Sequence, residues 1–110
     1  MAIVNATIDD TTPGTTETTI ITASAVTAVT VIYLCNNDTI TRTVDIHIKP
    51  GAEALAAENR VYNGLSIPAG DTFIIETERL ILDNTDVITV VPGEADTTAA
   101  ITATVSSMEC

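Results

Sequence analysis

The sequence predicts an all-β fold: a single antiparallel β-sandwich or jelly roll of about eight short strands, with an extended N-terminal arm. Three observations carry this. Residues 65–91, LSIPAGDTFIIETERLILDNTDVITVV, alternate short apolar runs with turn residues, a spacing that suits strands of about 5–6 residues. β-Branched side chains dominate and Thr is frequent; both favour a pleated, half-buried surface because their restricted rotamers lose little there. Residues 40–49 alternate by twos, with Val44, Ile46 and Ile48 pointing one way and Thr43, Asp45, His47 and Lys49 pointing the other, toward water. At 110 residues the chain has material for one core. Aromatic residues make up 3% of it, so that core is built from Ile, Val, Leu and Ala around Phe73, Tyr33 and Tyr62.

Residues 1–17 read as an arm, Thr-rich and broken by Pro13 and Gly14, and residues 18–110 as the sandwich domain. The arm buries too little apolar surface to order by itself and is expected to order on a neighbour. Its apolar Ile3, Val4 and Ile8, with Asp9 and Asp10 beside them, are the residues expected to contact a partner. Strand signals begin at Thr18. Residues 26–35 are apolar on both faces, as in a central strand, and place Cys35 in buried surroundings. Asn36, Asn37 and Asp38 then turn the chain into the alternating strand 40–49, a hairpin reading.

Pro50 and Gly51 end that strand, residues 52–59 have the composition of one or two helical turns, and residues 60–67 resume extended structure with Gly64 at a candidate bulge. Ile67, Pro68, Ala69 and Gly70 form a turn with Pro at its second position. Strands at 72–76, 80–82 and 87–91 follow, the last two flanking a hairpin turn at Asp83, Asn84, Thr85 and Asp86; residues 92–98 are a polar loop and 100–107 the final strand. Phe73, Ile75, Leu80 and Ile88 are expected in the core. Arg42, Asp45 and Lys49 are candidates for protecting a strand edge.

Fifteen Asp and Glu against four Lys and Arg give a formal charge of -11, which repels phosphate backbones and anionic lipid, and the four cations form no stripe. Nucleic-acid and membrane partners are therefore not expected. No apolar stretch approaches the ~18 residues of a membrane span, and residues 1–10 lack the basic region and apolar core of a secretory signal, so synthesis in a cytoplasm is expected. Cys35 and Cys110 do not make a disulfide framework.

The chemistry-bearing inventory argues against an enzyme. His47 is the only histidine, it reads as a solvated strand residue, and no GxSxG, glycine-rich phosphate loop, CxxC or HExxH occurs. Glu76 and Glu78 pair as glycosidase carboxylates might, but a sugar cleft wants aromatic platforms and there is no Trp. Asp83, Asn84 and Asp86, or Glu94 and Asp96, have oxygen ligands suited to calcium, against the simpler reading that Asp and Asn satisfy turn backbone. No catalytic residue, cofactor or metal ligand is predicted.

The segments YLCN (33–36), YNGLSIPAGDTF (62–73) and ATVSSME (103–109), in this order across residues 18–109, resemble small β-sandwich structural proteins of tailed bacteriophages. The resemblance implies a decoration (cement) protein on the outside of the capsid, located in the virion and made in the host cytoplasm. It would bind the major capsid protein and self-associate as a trimer, with the arm reaching onto the shell or an adjacent copy. A phage tail or fibre component, or a small adhesion or carbohydrate-binding module, is the alternative.

Overall fold

In a computed structural model, which describes residues 2–10, 17–51, 53, 54, 56–93 and 96–109, the chain is an all-β sandwich of two four-stranded antiparallel sheets. The strands are β1 (Ala2–Asp10), β2 (Thr18–Thr22), β3 (Thr27–Asn36), β4 (Arg42–Pro50), β5 (Arg60–Ile67), β6 (Thr72–Leu82), β7 (Asp86–Pro92) and β8 (Asp96–Glu109). One sheet has the order β1-β8-β3-β6 and the other β2-β7-β4-β5. The antiparallel pairs β1/β8, β2/β7, β3/β6 and β4/β5 are nested like a long hairpin rolled up on itself, which is the winding of a jelly roll.

The core lies between the sheets. Ile8, Val29, Ile32, Leu34, Ile75, Leu82, Ile101, Ala103 and Val105 from the first sheet meet Ile20, Val44, Ile46, Ile67, Ile88 and Val90 from the second. Of the four core residues named from the sequence, Ile75 and Ile88 are buried, and Phe73 and Leu80 pack against the cluster half-buried. At one side Tyr62 of β5 and Phe73 of β6 meet edge to face, with ring centroids 6.3 Å apart, bridging the two sheets.

Two bulges keep the alternation in phase. Thr30 is an extra residue in β3, between Val29 opposite Ser107 and Val31 opposite Ser106, so Val29 and Ile32 both face the core. Its hydroxyl donates to the Ser106 carbonyl at 3.0 Å. Gly64 forms the predicted bulge in β5. Its φ of 67° is in the left-handed region, and its N–H donates to Asp45 Oδ1 at 2.7 Å.

Several connections differ from the sequence reading. The turn at Asn36–Asn37–Asp38 and the one at Asp83–Asp86 reverse the chain but make no hairpin, because β3 and β6 belong to one sheet while β4 and β7 belong to the other. Turn chemistry fixes a change of direction; which strands pair afterwards is decided by where each apolar face finds cover. Buried Asn36 holds the first of these crossings: its side-chain amide donates to the carbonyls of Ile40 and Ile67, both at 2.9 Å, and its Oδ1 accepts from Asp38 N–H. Its backbone also exchanges hydrogen bonds with Gly70 and Asp71, so the YLCN and IPAGD segments meet at one end of the sandwich.

The strand number agrees with expectation, but the membership does not. Residues 72–82 form one strand, and the eighth is β1, which the sequence reading assigned to the arm. Ala2–Asp10 is extended, but it is hydrogen-bonded along β8 from Ala2 opposite Ser107 to Ile8 opposite Ile101. Residues 11–16 lie outside the described residues. Where one or two helical turns were expected over 52–59, the described residues hold a 3-10 turn, Ala57–Asn59; residues 52 and 55 lie outside the described residues. β8 begins at Asp96, inside the expected polar loop.

Candidate functional site

Two surfaces merit description, the outer face of each sheet. On the second sheet, β4 alternates as predicted, yet His47 and Lys49 are not solvated: they are 5% and 4% exposed, and Thr89 beside them on β7 is fully buried. Segment 51–59, between β4 and β5, folds back over this part of the sheet and Glu17 closes it. Lys49 Nζ donates to Glu17 Oε1 at 3.0 Å and to the Glu53 carbonyl. Thr89 Oγ1 reaches Glu17 Oε2 at 3.5 Å.

Asn59, itself buried, organises the cover. Its amide nitrogen donates to Glu53 Oε1 and to the Ala54 carbonyl, both at 3.1 Å, and its Oδ1 accepts from Ala56 N–H and lies 2.6 Å from His47 Nδ1. With Asn59 oriented this way, His47 Nδ1 is the donor of that pair. Asp45 and Arg60 continue the polar surface with an ion pair at 3.5 Å. Among the described side chains no buried nitrogen or oxygen lacks a partner. His47, Lys49 and Asn59 thus join the sheet to the described residues of the segment between β4 and β5. Arg42, Asp45 and Lys49 also do not guard an edge, since β4 lies between β7 and β5.

The first sheet presents the opposite surface. Cross-strand register places Asn5, Thr104, Tyr33 and Ile74 in one row, Ile3, Ser106, Val31 and Glu76 in the next, and Met108, Ala28 and Ile81 in another. Ile3 (67% exposed), Ile81 (52%), Ile74 (48%), Met108 (47%) and Tyr33 (40%) stand in solvent on this face. Glu76 is the only charged side chain in these rows. Cys35, expected in the core, belongs to this outer face too; it is half-buried, and its thiol lies 3.4 Å from Asn37 Oδ1. The apolar run of β3 does mark an interior strand, but only one of its two faces meets the core.

The residues singled out from the sequence are divided by the structure. Ile8 is fully buried in the core, beyond a partner's reach, whereas Ile3 is the most exposed of the large apolar side chains described. Val4 pairs with Val105 and Asp10 with Asp96 along β1; the side chains of Val4, Asp9 and Asp10 lie outside those described. Tyr33, Ile74, Ile81 and Met108 were missed. For Tyr33 the signal was present in the two-sided apolarity of residues 26–35, but it read as two-sided burial.

The acidic turn at Asp83–Asp86 uses its carboxylates on its own backbone: Asp86 Oδ2 accepts from Asp83 N–H and Asp83 Oδ1 from Asn84 N–H, both at 2.9 Å. Among the described residues no group of three or more His, Cys, Asp or Glu is placed to share a metal ion. Glu94 lies outside the described residues, and the side chains of Asp96 and Glu78 outside those described. Asp38 accepts from Arg42 Nε at 3.0 Å, and chiefly this bond, with a second from Thr39 N–H, holds its carboxyl below the ordinary aspartate value. No described helix is long and apolar enough to cross a membrane. Comparisons with protein-family models, curated proteins and solved structures found no match to this chain.

Proposed function

We propose that the chain is a non-enzymatic structural protein of a virion, a decoration protein that binds the outside of a tailed-phage capsid and stabilises contacts between major capsid subunits. The observation that carries the reading is the outer face of the β1-β8-β3-β6 sheet. Five large apolar side chains stand exposed there on a pleated surface, with Glu76 the one charged side chain among those described in the same rows. A contiguous exposed apolar surface on a small, highly charged protein is the mark of a protein–protein contact. Support for a virion setting comes from the segments YLCN, YNGLSIPAGDTF and ATVSSME, which supply parts of β3, β5, β6 and β8.

In this reading the apolar face provides affinity and the acidic remainder of the surface provides orientation against a complementary shell. The test is the copy number of the protein in purified virions, measured by quantitative mass spectrometry against the major capsid protein. Several hundred copies per particle is the expected result for a protein repeated over an icosahedral surface. A few dozen copies or fewer assigns it to the tail or a fibre and overturns the capsid reading.

A further inference from the structure

A sheet edge is an open row of backbone donors and acceptors, and proteins protect it with charge, proline, bulges or brevity. The molecule has four such edges, and three are protected. β2 is five residues long, with a register shift between Thr19 and Ile21. β5 begins at Arg60 and carries the Gly64 bulge. β6 contains Glu76, Glu78 and Arg79, and its residues 77–79 fall opposite the single residue Thr30, which breaks the regular ladder.

β1 has none of these devices over Ala2–Ile8; its two carboxylates, Asp9 and Asp10, and its register shift, between Ile8 and Asp10, lie at one end. From Ala2 to Ile8 its pairing with β8 runs without a shift, and this stretch, AIVNATI, contains no charge, no proline and no glycine. Its other edge is unpaired. We propose that β1 is a homotypic interface: two copies of the chain pair β1 antiparallel to β1 about a two-fold axis, joining their first sheets into one eight-stranded sheet. This stands on the edge itself and holds whether or not the protein belongs to a virion.

The occupant is a second copy because, of the four edges, β1 alone offers an unbroken and uncharged ladder, so the edge that matches it is its own. Charge fixes where the copies can meet: a molecule of net charge -11 repels its own kind, and residues 2–8 carry no carboxylate. The register follows from the same requirement. Centring the axis on Asn5 pairs Ala2 with Ile8 of the partner subunit, Ile3 with the partner's Thr7, and Val4 with the partner's Ala6. Asp9 and Asp10 then fall outside the run of uncharged pairs. Because residues opposite one another share a face, the exposed rows containing Ile3, Tyr33 and Ile74 continue across the axis on one side of the joined sheet. The assembly is two-fold, in contrast to the trimer that the phage resemblance implies.

Sedimentation equilibrium of the full chain, from micromolar to near-millimolar concentration, is expected to show a mass rising from 11.5 kDa to twice that value. A chain that stays monomeric throughout, or that forms a trimer, overturns the proposal. Asn5 is exposed and its Oδ1 accepts from Thr104 Oγ1, a bond that Asp also makes, so Asn5→Asp keeps the fold while placing like charges opposite each other. It should weaken the dimer by about tenfold or more, with circular dichroism melting unchanged. Asn5→Lys should weaken it similarly, and an equimolar mixture of the two variants should recover dimer. Unchanged association in both variants, or no recovery on mixing, overturns the register.

Discussion

The outer face of the β2-β7-β4-β5 sheet buries a lysine, a histidine and a threonine, whereas the outer face of the β1-β8-β3-β6 sheet leaves a tyrosine, three isoleucines and a methionine in solvent. Both outcomes reverse the simple assignment of polar residues to water and apolar residues to the interior. The second sheet has the nine-residue connection between β4 and β5 at hand, and that segment carries Glu53 and Asn59, which match the donors and acceptors beneath them. A polar face can be covered from within the chain when the cover satisfies every desolvated group. The first sheet has no described segment folded over it, and its apolar side chains stand in solvent. One face is thus covered from within the chain, while the other is open among the described residues.

The largest effect expected from breaking this division lies in the covered face. Asn59→Ala removes the acceptor of His47 Nδ1 and the donor to Glu53 and Ala54 at once, leaving buried polar groups without partners. A loss of about 3 kcal/mol is expected, lowering Tm by something on the order of 10–20 °C in thermal melts. A change below about 0.5 kcal/mol would mean that the segment 51–59 is held by something other than this network.

On the open face the expectation is inverted. Ile74→Thr, at a half-exposed position, should move stability by about 0.5 kcal/mol or less, while lowering retention on purified particles in a co-sedimentation assay. Full retention of this variant together with Tyr33→Ser would remove the open face from attachment.

The smallest effect concerns the Arg42–Asp38 pair where β3 crosses to β4. A carboxyl whose folded pKa is depressed contributes stability above its unfolded value, near ~3.9, and that contribution disappears as pH falls through the lower folded value. Asp38→Asn should therefore melt slightly below the wild type at neutral pH, the gap closing in melts taken below about pH 4. A gap that is constant with pH would show that the pair does not hold the crossing electrostatically.

Much of this was legible in the chain. The alternation of β4, the Gly64 bulge, the turn at Pro68–Gly70 and the core roles of Ile75 and Ile88 all follow from local periodicity and turn chemistry, which depend on residues near one another. β1 was not legible as a strand of the sandwich: it runs into the polar, Thr-rich residues 9–19, and its order comes from pairing with β8, about a hundred residues away along the chain. Cys35 and His47 were misplaced for one shared reason. Periodicity shows which residues share a face, but only the packing of other segments shows whether that face is covered.

By itself, then, the sequence determined the strand class, most of the turns and the charge that any partner must accommodate; its count of eight strands agrees although it divided residues 72–82 and left out β1. Those properties are set by side-chain shape, φ preference and net charge, all of them local or summed quantities. The tertiary structure alone decided which strands are neighbours, that Asn36 ties the IPAGD turn to β3, that segment 51–59 covers His47 and Lys49, and that β1 presents a bare edge beside an apolar face. These depend on contacts between residues far apart in the chain, where desolvation and hydrogen-bond satisfaction choose among arrangements that local preference leaves equal.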